Sequence, residues 1–458
     1  MKNLLGKVIA LTRKVYINNK PDETFITSNF FAGKGDSFSR ISFKWYLDPC
    51  IKTIANDILT IAAAKDSRFL GIDEISFYKA VEQALKENSL NTSLFEINSL
   101  ISRNVSTLFE AKKNSIDVNV FGKRLWDVIE AEALASIKDW LLIYPLENLE
   151  IEQSFALPTD GLTLLKHDDV ATWSTFNTKY ANTGDWNIIT GKYNDYIQDI
   201  TVPLVRQDKL SWIIVEDKGT ELGIKRSAVN KIRTFLSVVL SMNTRRRELL
   251  ICSSKEGMGY ACQFSGISNV GSGSVFSYVG ILLPSIIEPI NISTQVIQTV
   301  NEWYSLREQA SQEILQKAVV ASHFINYGIN AEEDLDRFIH FFIALDALFG
   351  RRAQVEKGIK FGISETFSGD KSWINRADKL FDLRNELLHG SSSAISDWKS
   401  LESYERTFHT NPLEDVMEAA MSAFSRYFSL PIYENKKLGR FQKTWKWIKE
   451  CPLVKKSD

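Results

Sequence analysis

The chain is poor in the residues that build disulfide-stapled or zinc-bound folds. Its 458 residues include only four cysteines, which are scattered along the chain and form no C-x-x-C pair: Cys50, Cys252, Cys262 and Cys451. With only five histidines besides, the sequence shows no zinc-type spacing, so we expect neither a metal site nor a cofactor. Few and dispersed thiols fit a reducing compartment, and we expect the protein to be cytoplasmic.

Long apolar runs and an excess of charge are also missing. No stretch approaches the ~18 consecutive apolar residues of a membrane span. Residues 1–19 lack the apolar core and cleavage site of a secretion signal, so we expect a soluble protein without membrane contact. The formal net charge is −1. Any contact with nucleic acid must therefore come from a local basic patch.

The apolar periodicity changes along the chain and predicts an α+β multidomain protein. Four segments follow one another: a mainly helical N-terminal region of unknown role (1–140), a mixed α/β module (141–295), an all-α helical bundle (296–435) and a basic, aromatic tail (436–458). The mixed module is a candidate sensor or substrate-selection domain.

Local patterns predict the individual elements. In the N-terminal region, proline-free stretches predict helices at 51–65, 75–86 and 121–140. In the mixed module, residues 149–155 alternate as in a half-buried strand, and the turn residues at 158–161 predict a hairpin with 162–165. Further elements are expected there, namely strands at 210–215, 249–253, 260–264 and 275–283 and a helix at 225–242.

The C-terminal segment predicts four helices joined by modest loops, as in an antiparallel bundle. Three are expected at 302–327, 332–349 and 374–389, and Gly350 and Gly390 follow two of them as stop signals. A fourth should begin after Asn411, with Pro412 in its first turn.

Helix 374–389 carries the residues that point to chemistry. Leu380, Leu383 and Leu387 fall on one side of an ideal helix and should pack into the bundle. Asp382, Asn385 and His389 fall on the opposite side, with Arg384 at the flank. A histidine can move a proton near neutral pH, an arginine can grip a phosphate, and an asparagine can orient either partner. These residue types suit cleavage of a phosphodiester.

The run from Arg384 to Gly390, RNELLHG, resembles the R-X4-6-H signature of HEPN domains, including the polar residue after the arginine. The stretch 337–350 resembles the preceding helix of the Apea-like HEPN subgroup, although Asp346 stands where that subgroup often has glutamate. Residues 144–149 and the strand after them resemble a module often found upstream of such domains. The resemblance covers about 300–430 well and 141–295 weakly.

The resemblance implies a metal-independent endoribonuclease in which Arg384, Asn385 and His389 are catalytic, with Asp346 and Asp382 as candidate supporting residues. Two subunits would form one composite cleft across a HEPN homodimer, and the RNA's own 2′-hydroxyl would attack the phosphate. Many relatives are toxins or anti-phage proteins that stop growth by cutting host RNA. The implied partners are therefore RNA, with tRNA as one candidate, and an antitoxin or a phage-derived trigger. The alternative is a non-catalytic HEPN module that binds a nucleotide, RNA or a protein partner.

Two basic clusters are candidates for RNA contact. One is Arg245, Arg246 and Arg247, preceded on the helix by further cations at Lys225, Arg226, Lys231 and Arg233. The other is the tail, where Trp445 stands between Lys443 and Lys446. Aromatics among cations suit stacking on single-stranded RNA. A solvated helix face explains the first cluster equally well, and docking of the tail on the bundle explains the second.

Each candidate also has a structural interpretation. His389 could simply end a helix favourably, and Arg384 could pair with a neighbour in the bundle. We expect Asp346 to be such a structural partner, and His340 to be a core or boundary histidine. Glu216 and Lys218 resemble the strand end of a metal-dependent nuclease, for which Asp185 or Asp195 would be the further acid. This gives a second, less favoured enzymatic hypothesis.

Overall fold

The computed structural model describes residues 2–17, 26–32, 41–90, 107–113, 116–146, 149–166, 169–180, 211–242, 253–264, 276–285, 290–351, 354–390 and 393–430. The chain divides into two compact units. Unit 1 comprises 1–141, 216–227 and 262–275, and unit 2 comprises 142–215, 228–261 and 276–458. Within the described residues, no helix combines the length and apolar character needed to cross a membrane.

Unit 1 contains five described helices: α1 (Lys2–Thr12), α2 (Ile51–Ala63), α3 (Glu74–Leu90), α4 (Leu108–Lys112) and α5 (Val118–Ala135). Helix α2 is amphipathic, and packing of its apolar face stabilises it. Its buried residues repeat at helical spacing: Ile51, Ala55, Ile58, Leu59 and Ala62. The predicted helices at 51–65 and 75–86 are therefore confirmed, with small shifts at their ends.

Unit 1 also contains a sheet that the sequence does not predict. Strands β1 (Val15–Ile17), β2 (Ile26–Ala32) and β3 (Ile41–Leu47) pair antiparallel in the order β1-β3-β2. The expectation of a mainly helical region is thus incomplete. Strand β1 is only three residues long, and polar and apolar residues do not alternate cleanly in β2, so neither is marked by periodicity.

The predicted helix at 121–140 is wrong at its end. Helix α5 stops at Ala135, and Lys138–Leu146 forms strand β4. Five consecutive residues of this strand, from Trp140 to Tyr144, are almost completely buried. A strand covered on both faces reads as a continuous apolar run, so periodicity alone does not separate it from the end of a helix.

Asp73 connects two segments of unit 1. Its buried carboxylate accepts hydrogen bonds from the hydroxyls of Thr220 and Ser76 and from the backbone N–H groups of Ile75 and Ser76. Burial alone would raise the pKa of Asp73, but these hydrogen bonds outweigh it and lower the pKa below its usual value. The ionised carboxylate thus caps α3 and holds residue 220 against it.

We expect Asp73→Ala to lower the free energy of unfolding of unit 1 by about 1–3 kcal/mol, because it removes the carboxylate that caps α3 and leaves the Thr220 hydroxyl only the longer hydrogen bond to the carbonyl of Gly71. Since the folded pKa is depressed, this stabilisation is present above the ordinary value of 3.8 and is lost as the pH falls through the folded pKa. Urea unfolding at pH 7 and pH 3 measures both effects. An equal loss at both pH values would contradict the role of the ionised carboxylate.

Most residues of a mixed sheet belong to unit 2. Besides β4, the described strands are β5 (Leu149–Ile151), β6 (Phe155–Leu157), β7 (Leu162–Leu165), β8 (Ser211–Gly219), β9 (Ser253–Phe264), β10 (Phe276–Ser285) and β11 (Ile290–Ile292). Six of them form one sheet in the order β10-β9-β4-β8-β7-β6, while β11 and β5 pair in parallel. This confirms an α+β protein with its mixed sheet in the middle of the chain.

The hairpin predicted around residues 158–161 is present. Strands β6 and β7 pair antiparallel, and Gly161 between them adopts a φ of 61°. This left-handed conformation favours glycine, so the turn residue itself directs the chain reversal. Strand β8 extends the sheet on the other side of β7, with Leu164 opposite Ile213. The strand predicted at 249–253 lies mostly outside the described residues.

The described helices of unit 2 include α6 (Val170–Tyr180), α7 (Glu221–Met242, which begins in unit 1), α8 (Thr294–Glu308), α9 (Gln312–Asn330), α10 (Asp334–Phe349), α11 (Val355–Thr366), α12 (Lys371–Leu388), α13 (Leu401–Phe408) and α14 (Pro412–Arg426). The predictions for α7, α10, α12 and α14 are confirmed within a few residues. Helix α10 packs against α9, α11 and α14 and is the centre of the helical part.

The prediction of four C-terminal helices is wrong in two respects. The expected helix at 302–327 is two helices, because the chain leaves the helical conformation at Ser311 (φ −69°, ψ 154°) before α9 begins. Helices α11 and α13 were not predicted. The close approach of α11 to α10 depends on Gly362, where a Cβ atom would lie 2.2 Å from the ring of Phe349. Neither break nor approach is marked by proline or by periodicity.

Candidate functional site

Helix α12 presents the predicted motif at its C-terminal end. The carboxylate of Asp370 starts the helix by accepting the backbone N–H of Ser372 at 2.8 Å. The helix ends at His389, and Gly390 follows with a φ of 73°. Leu380 and Leu383 are buried as expected, whereas Leu387 is only half-buried. The packed face of the helix therefore ends one turn before the motif does.

Arg384 is directed toward Asn385. Its Nη1 donates a hydrogen bond to Oδ1 of Asn385 at 3.1 Å, and its guanidinium carbon lies 5.8 Å from the ring centroid of Phe342 on α10. Phe342 is in turn held edge-on against Phe381, with ring centroids 4.8 Å apart. The side chain of Arg384 thus lies over an aromatic support and reaches the face that carries Asn385.

Asp346 faces this arginine from α10. Burial raises the pKa of the half-buried Asp346 carboxyl, and the positive charge of Arg384 opposes the increase. The same carboxylate lies so close to Gly350 that a Cβ atom there would overlap Oδ1. The charges of Asp346 and Arg384 therefore interact, while the interpretation of Asp346 as a partner of a bundle arginine stays a prediction.

The remaining candidate polar residues of α12 are exposed. His389 and Asn385 are open to solvent, as is Asp382, whose side chain is 61% exposed and pairs with Lys379 at 3.8 Å. Within the described part of the chain, no hydrogen bond or ion pair engages the His389 side chain. The structure thus brings Arg384 to Asn385, one helical turn before an available histidine, while Asp382 pairs elsewhere.

The candidate RNA-binding residues are outside the described part of the chain. This holds for Arg245–Arg247 and for Lys443, Trp445 and Lys446. On the preceding helix, Lys225 pairs with Glu221 at 2.7 Å, Arg226 pairs with Glu74, and Arg233 contacts His323. These three cations do not form one continuous free patch, so the interpretation as a solvated, paired helix face fits Lys225 and Arg226.

The strand end at Glu216 and Lys218 shows structural pairing. Lys218 forms an ion pair with Asp139 at 3.0 Å, and Asp217 accepts a hydrogen bond from the Ser227 hydroxyl at 3.0 Å. Asp185 and Asp195 lie outside the described residues. Among the residues that the structure does describe, no group of three or more His, Cys, Asp or Glu side chains could hold a metal ion.

His340 and His409 lie elsewhere in unit 2. His340 on α10 is half-buried between aromatic rings, as expected of a boundary histidine. His409 is exposed and ends α13 with a φ of 57°.

Comparisons with models of known protein families, with curated proteins and with solved structures each find no match to this chain.

Proposed function

We propose that the chain is a metal-independent endoribonuclease of the HEPN type, with Arg384, Asn385 and His389 as its catalytic residues. The observation that carries the proposal is the hydrogen bond from Arg384 to Asn385 one turn before the exposed His389. It directs a permanent cation and a proton-transferring group to the same end of one helix. The fit of residues 384–390 to the R-X4-6-H signature supports the same assignment.

Each residue has a defined part in the proposed reaction. The 2′-hydroxyl of RNA forms a bond to the adjacent phosphorus, the bond from phosphorus to the 5′-oxygen breaks, and the products end in a 2′,3′-cyclic phosphate and a 5′-hydroxyl. His389 takes the proton of the 2′-hydroxyl, or returns one to the departing 5′-oxygen. Arg384 stabilises the charge that develops on the phosphate oxygens. Asn385 holds the guanidinium in position.

Two protons must move in this reaction, whereas each chain contributes one motif histidine. A homodimer in which two copies of α12 face each other would supply both a base and an acid. Leu388, within the motif, is 52% exposed and would lie in that contact. Asp346, acting on Arg384 from α10, is the proposed supporting residue within each copy.

Beyond the chemistry, we propose a role in a prokaryotic anti-phage or toxin system, where cutting host or phage RNA stops growth. An antitoxin or a phage-derived trigger would then control the enzyme. The mixed sheet of unit 2 and the helices of unit 1 are candidates for sensing that signal. This role rests on the HEPN resemblance. Identifying the RNA that the protein cuts in cells would test it.

The test is incubation of the purified protein with total RNA and with tRNA, with EDTA present. We expect cleavage to persist in EDTA and to leave cyclic phosphate ends, because no step uses a metal ion. Cleavage that EDTA abolishes would favour the rival site at Glu216 and Lys218. No cleavage with or without Mg²⁺ would favour a binding module, and co-purifying nucleotide or protein would then be sought.

A further inference from the structure

A second group of polar side chains lies inside unit 2. It consists of Arg233 on α7, His323 and Tyr327 on α9, His340 on α10 and Tyr144 on β4. Hydrogen bonds join α7 to α9 beside this group. The hydroxyl of Thr234 bonds to the side chain of Ser322, and the hydroxyl of Ser237 donates to its carbonyl, both at 3.1 Å. The group is therefore held on packed, regular elements.

The contacts in this group are close and directional. Nη1 of Arg233 donates to Nδ1 of His323 at 2.9 Å, and its guanidinium carbon lies 5.5 Å from the ring centroid of Tyr327. The ring of Tyr327 is edge-on to His323, with centroids 4.4 Å apart, and stacks on His340 at 5.6 Å. Because Nδ1 of His323 accepts from an arginine, its Nε2 carries the hydrogen of the neutral ring and can donate a hydrogen bond.

The charge of Arg233 is not balanced within the described residues. Its described polar partner is a histidine, and no carboxylate among those residues pairs with it. Burial lowers the pKa of His323, and the charges of Arg233 and His340 lower it further. A half-buried guanidinium beside two histidines is costly without a counter-ion.

Two buried polar atoms of this group have no described partner. The Tyr144 side chain is completely buried, yet its hydroxyl has no hydrogen-bond partner among the described residues, and neither has Nδ1 of His340. Burial raises the pKa of Tyr144, and the positive charge of Arg233 opposes the increase. Buried polar atoms in folded proteins nearly always have a partner.

We propose that this group is a binding site for an oxyanion of the phosphate class, with Arg233 as its charge partner and Tyr144, His323 and His340 as hydrogen-bond donors. An oxyanion would balance the arginine and satisfy both unpartnered atoms at once. A metal ion would not, because Arg233 repels it and occupies Nδ1 of His323. The proposal is independent of RNA cleavage at Arg384 and His389.

Sulfate is the probe, because it is a tetrahedral oxyanion of the phosphate class that stays doubly charged at neutral pH. Isothermal titration calorimetry of the full chain should detect one sulfate per chain. Arg233→Gln should weaken binding by roughly tenfold or more, because it removes a charge-assisted contact. The matched control is Arg226→Gln, on the exposed part of the same helix, which should bind as the wild type does.

Tyr144→Phe gives a second readout, since it removes only the hydroxyl and keeps the buried ring. We expect it to weaken sulfate binding severalfold with unchanged near-ultraviolet circular dichroism. Absence of sulfate binding by the wild type, or equal affinity in wild type, Arg233→Gln and Tyr144→Phe, would overturn the proposal.

Discussion

His389→Asn is expected to reduce the rate of RNA cleavage by roughly 10²–10⁴-fold, the usual contribution of a positioned general acid or base. Asparagine keeps a polar side chain at the exposed helix end but transfers no proton near neutral pH. Since no described residue hydrogen-bonds the His389 side chain, the substitution should leave the fold unchanged. Initial rates on the RNA that the wild type cuts, measured in EDTA, give the effect.

The chain offers a matched control at His409. Like His389, it is an exposed histidine at the C-terminal end of a helix of unit 2. His409→Asn should therefore cut RNA at the wild-type rate. If both variants retain full activity, the motif is not the catalytic site; if both lose it equally, the loss reflects a general effect of the substitution.

Mixing wild-type and His389→Asn chains extends this test to the proposed composite cleft. If one cleft needs both histidines, a mixed dimer is inactive, so equal amounts of the two chains should leave about a quarter of the wild-type activity. Two independent sites would leave about half of it. Activity proportional to the wild-type fraction would therefore contradict the shared cleft.

The second large effect is expected on stability, from Asp415→Asn. The buried Asp415 carboxylate accepts Nη1 of Arg376 and the hydroxyl of Tyr404, each at 2.6 Å. The arginine is enclosed by the rings of Trp373 and Phe408, at 4.9 and 5.3 Å. Burial raises the pKa of Asp415, although Arg376 and Tyr404 both oppose the increase. The cost of burying the Asp415–Arg376 ion pair therefore cancels most of its contribution to stability.

Removing only the Asp415 carboxylate destabilises the fold, because it leaves the largely buried guanidinium of Arg376 without a counter-charge. We expect Asp415→Asn to lower the free energy of unfolding by about 3–5 kcal/mol. Urea titration followed by tryptophan fluorescence measures it. The control is Asp382→Asn, whose exposed pair with Lys379 should change stability by no more than about 0.5 kcal/mol. Similar midpoints for the two variants would show that the buried pair is dispensable.

Much of the helical architecture follows from local signals. Asn411, Pro412 and Glu414 predict the start of α14, and the Asn411 side chain does accept the backbone N–H of Glu414 at 2.8 Å. Gly161 predicts a turn, and it adopts the left-handed conformation that the turn needs. Such signals are readable because each acts within a few residues of chain.

The errors lie where distant residues decide. Trp140 belongs to a strand, and its indole N–H donates to the carbonyl of Gly219, 79 residues away, at 3.0 Å. The break at Ser311 and the short strands of unit 1 likewise depend on packing, since propensity is a weak guide for short segments. A pattern of apolar residues indicates burial, but it does not say by which neighbour.

For the candidate site, the sequence by itself determined that Arg384, Asn385 and His389 lie at the end of one helix, because spacing and a terminal glycine suffice for that. Only the tertiary structure decided that Arg384 turns onto Asn385, since Phe342 and Asp346 come from another helix. The group around Arg233 was likewise invisible, because its five members come from four elements spread over residues 144–340. Side-chain direction and charge balance depend on neighbours that only folding brings together.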